Sequence, residues 1–223
     1  MTGACAVDTS AAGGFGSVRF DGRSCVGYLA GTLPGLSPAP DVAFTALVIA
    51  RLNASKPLQA LLHIGRTPRN YVGEFLLNAG VVGPSFLYGG SPEVFAFSYD
   101  RPFMPLSASD FTLFAFTRSA GGTSGAYYQS TARGPTAGVR VVRAFTGQAL
   151  VGLAARDLAV GADIRDSKDY LQGSVAVVQL HNRALSLAEL NEHFAAYAPR
   201  FNWSLPASRE WAARARSLGR LKA

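Results

Sequence analysis

Short runs of alternating apolar and polar residues, separated by turn-forming residues, cover most of this chain. They predict strands near Ser17–Phe20, Ser24–Ala30, Val42–Leu52, Leu58–Ile64, Tyr71–Leu77, Ser85–Tyr88 and Val94–Tyr99. The series continues near Asp110–Thr117, Ala126–Thr131, Val139–Phe145, Ala149–Leu153 and Ser174–Asn182. Pro34-Gly35, Gly83-Pro84, Gly89-Gly90-Ser91-Pro92, Gly121-Gly122 and Gly134-Pro135 punctuate them, and such pairs favour turns. About a dozen strands with turns between them predict an all-β fold, a two-sheet antiparallel jelly-roll sandwich. In Asp110–Thr117, Phe111, Leu113 and Ala115 share one face and Thr112, Phe114 and Phe116 the other. Both faces are apolar, so this strand is expected to be covered on both sides or to border a groove.

One helix is predicted, directly after the last strand. Ser186 and Glu189 have capping-box spacing, and Leu185 and Leu190 are spaced as a hydrophobic staple. Leu187, Leu190, Phe194 and Tyr197 form an apolar stripe, and Pro199 is expected to end the helix at about Ala198. A second helical pattern, Ala207–Leu218, sets Trp211, Ala215 and Leu218 on one side and arginines elsewhere. The resulting parse is an arm over 1–16, one β-sandwich domain over 17–199 and a basic, helical tail over 200–223.

The last strand and the helix also carry a resemblance. Gly173, Val175, Val178, Leu180, Asn182-Arg183-Ala184-Leu185-Ser186 and Glu189 resemble the C-terminal signature of laminin-G-like domains in the concanavalin A-like lectin/glucanase superfamily. Phe20-Asp21-Gly22, Asp41-Val42-Ala43-Phe44-Thr45, Leu61-Leu62-His63-Ile64-Gly65 and Leu150-Val151-Gly152 follow in the family's order, from Phe20 to Tyr197. The resemblance implies a sandwich whose concave sheet or rim loops bind glycans or protein surfaces, in some members with Ca2+. Ala176 stands where many members have an acidic residue, and Phe111–Phe116 occupies a region where a tryptophan is usual.

Composition agrees with the strand reading: of 223 residues 48% are hydrophobic and only 16% charged, with 24 glycines. The net charge is +7, but Arg209, Arg214, Arg216, Arg220 and Lys222 against Glu210 place +4 of it in residues 206–223. The body is therefore only mildly basic, and a solvated tail is favoured over a nucleic-acid surface. Trp211, Arg214, Arg216 and Arg220 are the residues with which that tail would dock on a partner, and nucleic acid would be met only there. The longest apolar run, Val42–Ala50, is too short to span a bilayer, and the first residues lack the pattern of a secretory leader. A soluble chain is expected. Cys5 and Cys25 could form one bridge, but two cysteines do not make a disulfide scaffold.

Candidate chemistry narrows the function. Retaining glycoside hydrolysis on one strand needs carboxylates two or four residues apart, because alternate residues share a face. None of the fourteen Asp and Glu residues has a partner at that spacing. No nucleophile elbow is present either, since Gly22-Arg23-Ser24-Cys25-Val26 lacks the second glycine. His63, His181 and His193 are read as surface or interface residues. Asp157, Asp163, Asp166 and Asp169 crowd one predicted loop and are candidate Ca2+ ligands; no cofactor is otherwise required. Tyr71, Phe86, Tyr88, Tyr127 and Tyr128 are candidate stacking platforms for a sugar. The expected function is a non-catalytic, carbohydrate-binding recognition module. The alternative is a structural subunit of a virion or other multiprotein particle.

Overall fold

The structure, a computed structural model, describes residues 5–9, 16–29, 43–53, 56, 58–65, 75–79, 85–89, 94–96, 106–121, 123–133, 137–146, 157–164 and 169–205. At 65, 75–76, 78, 85–89, 94–96 and 145 the backbone alone is described.

The apolar run Phe44–Leu52 (β4) lies at the middle of a sheet because both its faces are covered. It pairs antiparallel with Gln172–His181 (β13) on one side and Thr112–Arg118 (β9) on the other. Beyond β13 lie Ser17–Asp21 (β2) and Ala6–Asp8 (β1); beyond β9 lie Ser124–Thr131 (β10) and Gly138–Thr146 (β11). The seven-stranded order is β1-β2-β13-β4-β9-β10-β11. A second, six-stranded sheet is built from Gly27–Leu29 (β3), Gln59–Gly65 (β5), Phe75–Ala79 (β6), Ser85–Gly89 (β7), Val94–Ala96 (β8) and Asp157–Val160 (β12). Its order is β3-β12-β5-β6-β7-β8, and every pairing in both sheets is antiparallel.

Two cores follow from the alternation. Phe44, Ala46, Val48, Phe114, Phe116 and Tyr127 meet Leu61, Leu62, Ile64 and Leu77 between the sheets. On the other face of the larger sheet, Leu47, Ile49, Phe111, Leu113 and Ala115 pack under the helix Leu187–Phe201 (α1). The two-faced pattern of Phe111–Phe116 thus corresponds to a strand covered on both sides.

The helix begins as its sequence predicts. The Ser186 side chain accepts from the Glu189 amide, and Glu189 Oε2 accepts from the Ser186 amide at 2.8 Å. Leu185 and Leu190 are both buried in the outer core. Thr45 pins the approach, its hydroxyl donating to the Arg183 carbonyl (2.9 Å) and accepting from the Leu185 amide (2.8 Å). Leu187, expected on the apolar stripe, is 39% exposed.

The other end differs from expectation. Pro199 lies inside the helix, which continues to Phe201 and stops at the left-handed Asn202. A proline so near the C-terminus removes only one intrahelical bond. The amides of Asn202 and Trp203 both turn back to the Ala198 carbonyl. Trp203 is then buried against Phe194, with its indole Nε1 donating to the Phe111 carbonyl at 2.7 Å. Burying such side chains is worth about 1.5–3 kcal/mol each, enough to carry the helix past the proline.

Two strands lie where none is predicted. Strand β1 falls in the expected arm, and β12 in the expected Asp-rich loop. A disulfide joins Cys5 to Cys25 across 5.0 Å between α-carbons and ties the β1 end to the turn before β3. The expected strand over Ser24–Ala30 contracts to β3 because Asp21 organises the preceding turn. Its Oδ1 accepts from the amides of Arg23, Ser24 and Cys25, and its Oδ2 from the Ser24 hydroxyl. The expected strand at Ala149–Leu153 lies outside the described residues.

Candidate functional site

Helix α1 covers only part of the larger sheet's outer face. Toward β1 and β2 the described residues leave a cleft of about 860 Å3 on that face, within the size range of small-molecule sites. Its floor is a row of register partners on adjacent strands: Ala6 on β1, Arg19 on β2, Ser174 on β13 and Arg51 on β4. Directly opposed residues point to the same face, so both arginines flank Ser174. The next row places Asp21 opposite Gln172, with Asn53 beside it. Asp8, Phe20, Leu52, Gly173 and Ala108 complete the lining.

The polar side chains are held in different ways. Arg51 lies over the Phe111 ring, 5.4 Å from its centroid, a cation–π contact that fixes its direction. Asn53 Nδ2 donates to Gln172 Oε1 at 2.9 Å, while the Gln172 amide donates to Gln59 Oε1, also at 2.9 Å. Asp21 is committed to its turn, and the three amides and the Ser24 hydroxyl hold its carboxyl well below the usual carboxylate range. Gly173 lets β13 lie close on β4, since a Cβ there would stand 2.0 Å from the Arg51 carbonyl oxygen.

Of the candidate site residues singled out from sequence, none that is described lines the cleft. Tyr127 and Tyr128 are core residues, 1% and 8% exposed, and offer no platform for a sugar. Strand β10 is central, so one ring enters the core between the sheets and the other the core beneath α1. Phe86 and Tyr88 fall on β7, where the backbone alone is described; Tyr71 lies outside the described residues. So do Asp166 and the tail residues Trp211, Arg214, Arg216 and Arg220.

The other three aspartates are not brought together. Asp157 accepts from the Tyr28 hydroxyl on the β3/β12 edge. Asp163 is fully buried beside His63, 3.5 Å from its Nδ1. Asp169 has a left-handed backbone, and its carbonyl accepts from the Ala60 amide at 2.7 Å. Among the described residues no three His, Cys, Asp or Glu side chains gather as metal ligands.

The histidines also depart from expectation. His63 is buried, and its Nδ1 accepts from the Ile164 amide at 3.1 Å, because the turn that follows β12 brings Asp163 and Ile164 against it. His181 and His193 are brought edge to face at 5.3 Å. Both titrate below the usual histidine value. Burial is the largest cause for each, followed for His181 by His193 and for His193 by Arg183.

Sequence reasoning missed Arg19, Arg51, Ser174, Gln172 and Asn53. Its one signal was local: Arg19 interrupts Val18 and Phe20 at strand spacing. That shows a polar outward face and does not show which strands lie beside it.

No family model matches the chain, and no curated protein matches it. Solved structures do. The CBM40 of the Ruminococcus gnavus IT-sialidase, bound to alpha2,3 sialyllactose, is similar at a TM-score of 0.57 and 12% identity, over 79% of this chain and 95% of that one. The NanB sialidase of Streptococcus pneumoniae gives 0.56 and 12%, over 78% of this chain and 27% of that one. The enzymatically active domain of bacteriophage CBA120 tailspike protein 2 gives 0.57 and 17%, over 77% and 26%. The shared feature is the fold. It is a β-sandwich found in carbohydrate-binding modules. This chain spans nearly all of the first structure and about a quarter of each of the other two.

Proposed function

We propose that this chain is a non-catalytic glycan-recognition module that binds its ligand in the cleft over β1, β2, β13 and β4. The observation that carries the reading is the cleft itself. It is an open concavity of about 860 Å3 floored by Arg19, Ser174 and Arg51, with Asn53 and Gln172 alongside. Sugars present hydroxyls that donate and accept, and such a floor offers both. The fold likeness to CBM40 modules solved with sialyllactose supports the same reading. The laminin-G-like relationship suggested by Asn182–Ser186 is part of this proposal, as is binding through a sheet face.

The non-catalytic part rests on the carboxylates. Asp21, one of two lining the cleft, has both oxygens engaged in its turn and titrates far too low for a general acid. Ser24 donates to Asp21, so the serine of the incomplete elbow is a turn residue.

The test is a glycan array probed with the intact chain and with Ala108→Trp, which places an indole at the exposed rim of the cleft. Binding by the native chain that the variant loses supports the reading; binding that the variant keeps removes the cleft from it.

A second reading, a structural subunit of a larger particle, is favoured by the tailspike likeness, in which the fold makes up about a quarter of a phage protein. It would use the sandwich and the basic tail, including Trp211, as docking surfaces. Purifying the chain with its native neighbours separates the two readings.

A further inference from the structure

Arg19 and Arg51 differ from the other charged groups of the cleft. Among the described residues neither forms an ion pair, and no hydrogen bond engages either guanidinium. Asp21, by contrast, is saturated by its own turn. Two strand spacings separate the arginine α-carbons, about 10 Å, a gap that two long side chains close from opposite sides. Between them lies Ser174, a short side chain that is only 1% exposed, so the two arginines rather than the serine present polar groups to a ligand there. The contact of Arg51 with Phe111 holds that cation at the cleft wall before any ligand arrives.

From this we infer that the cleft takes an acidic sugar, with the carboxylate of one residue held between Arg19 and Arg51 over Ser174. The inference rests on the glycan-binding reading and adds the ligand's charge and its anchor. Guanidinium groups present forked donors that match the two oxygens of a carboxylate. Arg19 is exposed and Arg51 half-buried, so a neutral sugar would leave their charge to water, whereas a carboxylate would meet it directly. The flanking Asp8 and Asp21 confine the favourable position for an anion to the middle row, between the arginines. Neutral hydroxyls of the same ligand would then face Asn53, Gln172 and Asp8.

The experiment uses the intact chain on matched glycan pairs that differ only in the presence of a carboxylated sugar, with sulfated counterparts as a third arm. Arg19→Gln and Arg51→Gln remove the anchors one at a time. Arg140→Gln, on the exposed edge strand β11, removes an equal charge far from the cleft. Thermal unfolding of each variant verifies the fold. The expected result is selective binding of the carboxylated members. Affinity should fall about ten-fold or more in either cleft variant, stay unchanged in Arg140→Gln, and weaken with added salt. Equal binding of the neutral members, or cleft variants that bind like the native chain, overturns the inference and leaves the glycan reading standing. Preference for the sulfated arm overturns the carboxylate assignment. Binding of none of the glycans overturns the glycan reading and this inference with it.

Discussion

Trp203 lies flat on Phe194, with ring centroids 4.5 Å apart and planes within 6°. This stack closes the far end of α1 over the larger sheet and so decides where covered face ends and open cleft begins. The indole also donates to the Phe111 carbonyl, and the Phe111 ring in turn supports Arg51. The end of the helix is thereby linked to one wall of the cleft.

Trp203→Ala should therefore act on stability first. It empties a buried site and removes the hydrogen bond, and large-to-small changes of this kind cost about 3–5 kcal/mol. Trp203→Phe should keep most of the packing and lose the donor, costing less. Denaturant unfolding of the two variants measures the difference.

The helix start gives a pH-dependent prediction. The Ser186 amide, then the Arg183 guanidinium and the Ser186 hydroxyl, hold the Glu189 carboxyl at about 2, against an ordinary 4.5. Its folded value is depressed, so its contribution is present above pH 4.5 and is lost as pH falls through about 2. Glu189→Gln keeps an amide able to cap and should flatten acid unfolding in that window. Ser186→Ala should cost about 1 kcal/mol at neutral pH, as losses of N-caps do.

His181 and His193 predict a second slope at higher pH. Both are held below the usual histidine value, His181 by burial, His193 and Arg183, and His193 by burial and Arg183; Glu189, and for His193 also Glu192, oppose the shift. The unfolded chain binds more protons below about pH 6.5. Stability should decline as pH drops below that value, and His193→Gln should reduce the decline. Thermal midpoints between pH 7.5 and 5 test it.

Removing the Cys5–Cys25 bridge should loosen the β1 side of the cleft. The bridge closes a loop across a sequence separation of 20, and bridges of that span stabilise by about 3 kcal/mol. The double Cys→Ser variant should unfold earlier and show faster amide exchange in Ala6–Asp8 than in β4, because β1 is the edge strand.

Local patterns in the sequence were enough for some of this. Ser186 and Glu189 lie within one helical turn, so the capping box could be read directly. The two apolar faces of Phe111–Phe116 likewise anticipated two cores. Strands β1 and β12 were not legible, being three and four residues long and existing only because distant partners extend a sheet. The cleft was hidden for the same reason. Arg19, Arg51 and Ser174 come from three stretches of chain, and only the register of β2 and β4 on β13 makes them neighbours. Tyr127 and Tyr128 misled because a tyrosine in an alternating strand reads the same whether its ring is buried or exposed. Pro199 misled because local propensity lost to the burial of Phe201 and Trp203.

The central claim is that the open part of the larger sheet's outer face is a glycan site. Its most direct test is a titration of the isotopically labelled chain with the best-binding array glycan, followed residue by residue through its amide signals. The account predicts shifts concentrated at Arg19, Asn53 and Gln172–Ser174, with α1 and the β11 edge unchanged. Shifts confined to the six-stranded sheet or to the β11 edge, with β2 and β13 silent, would contradict it.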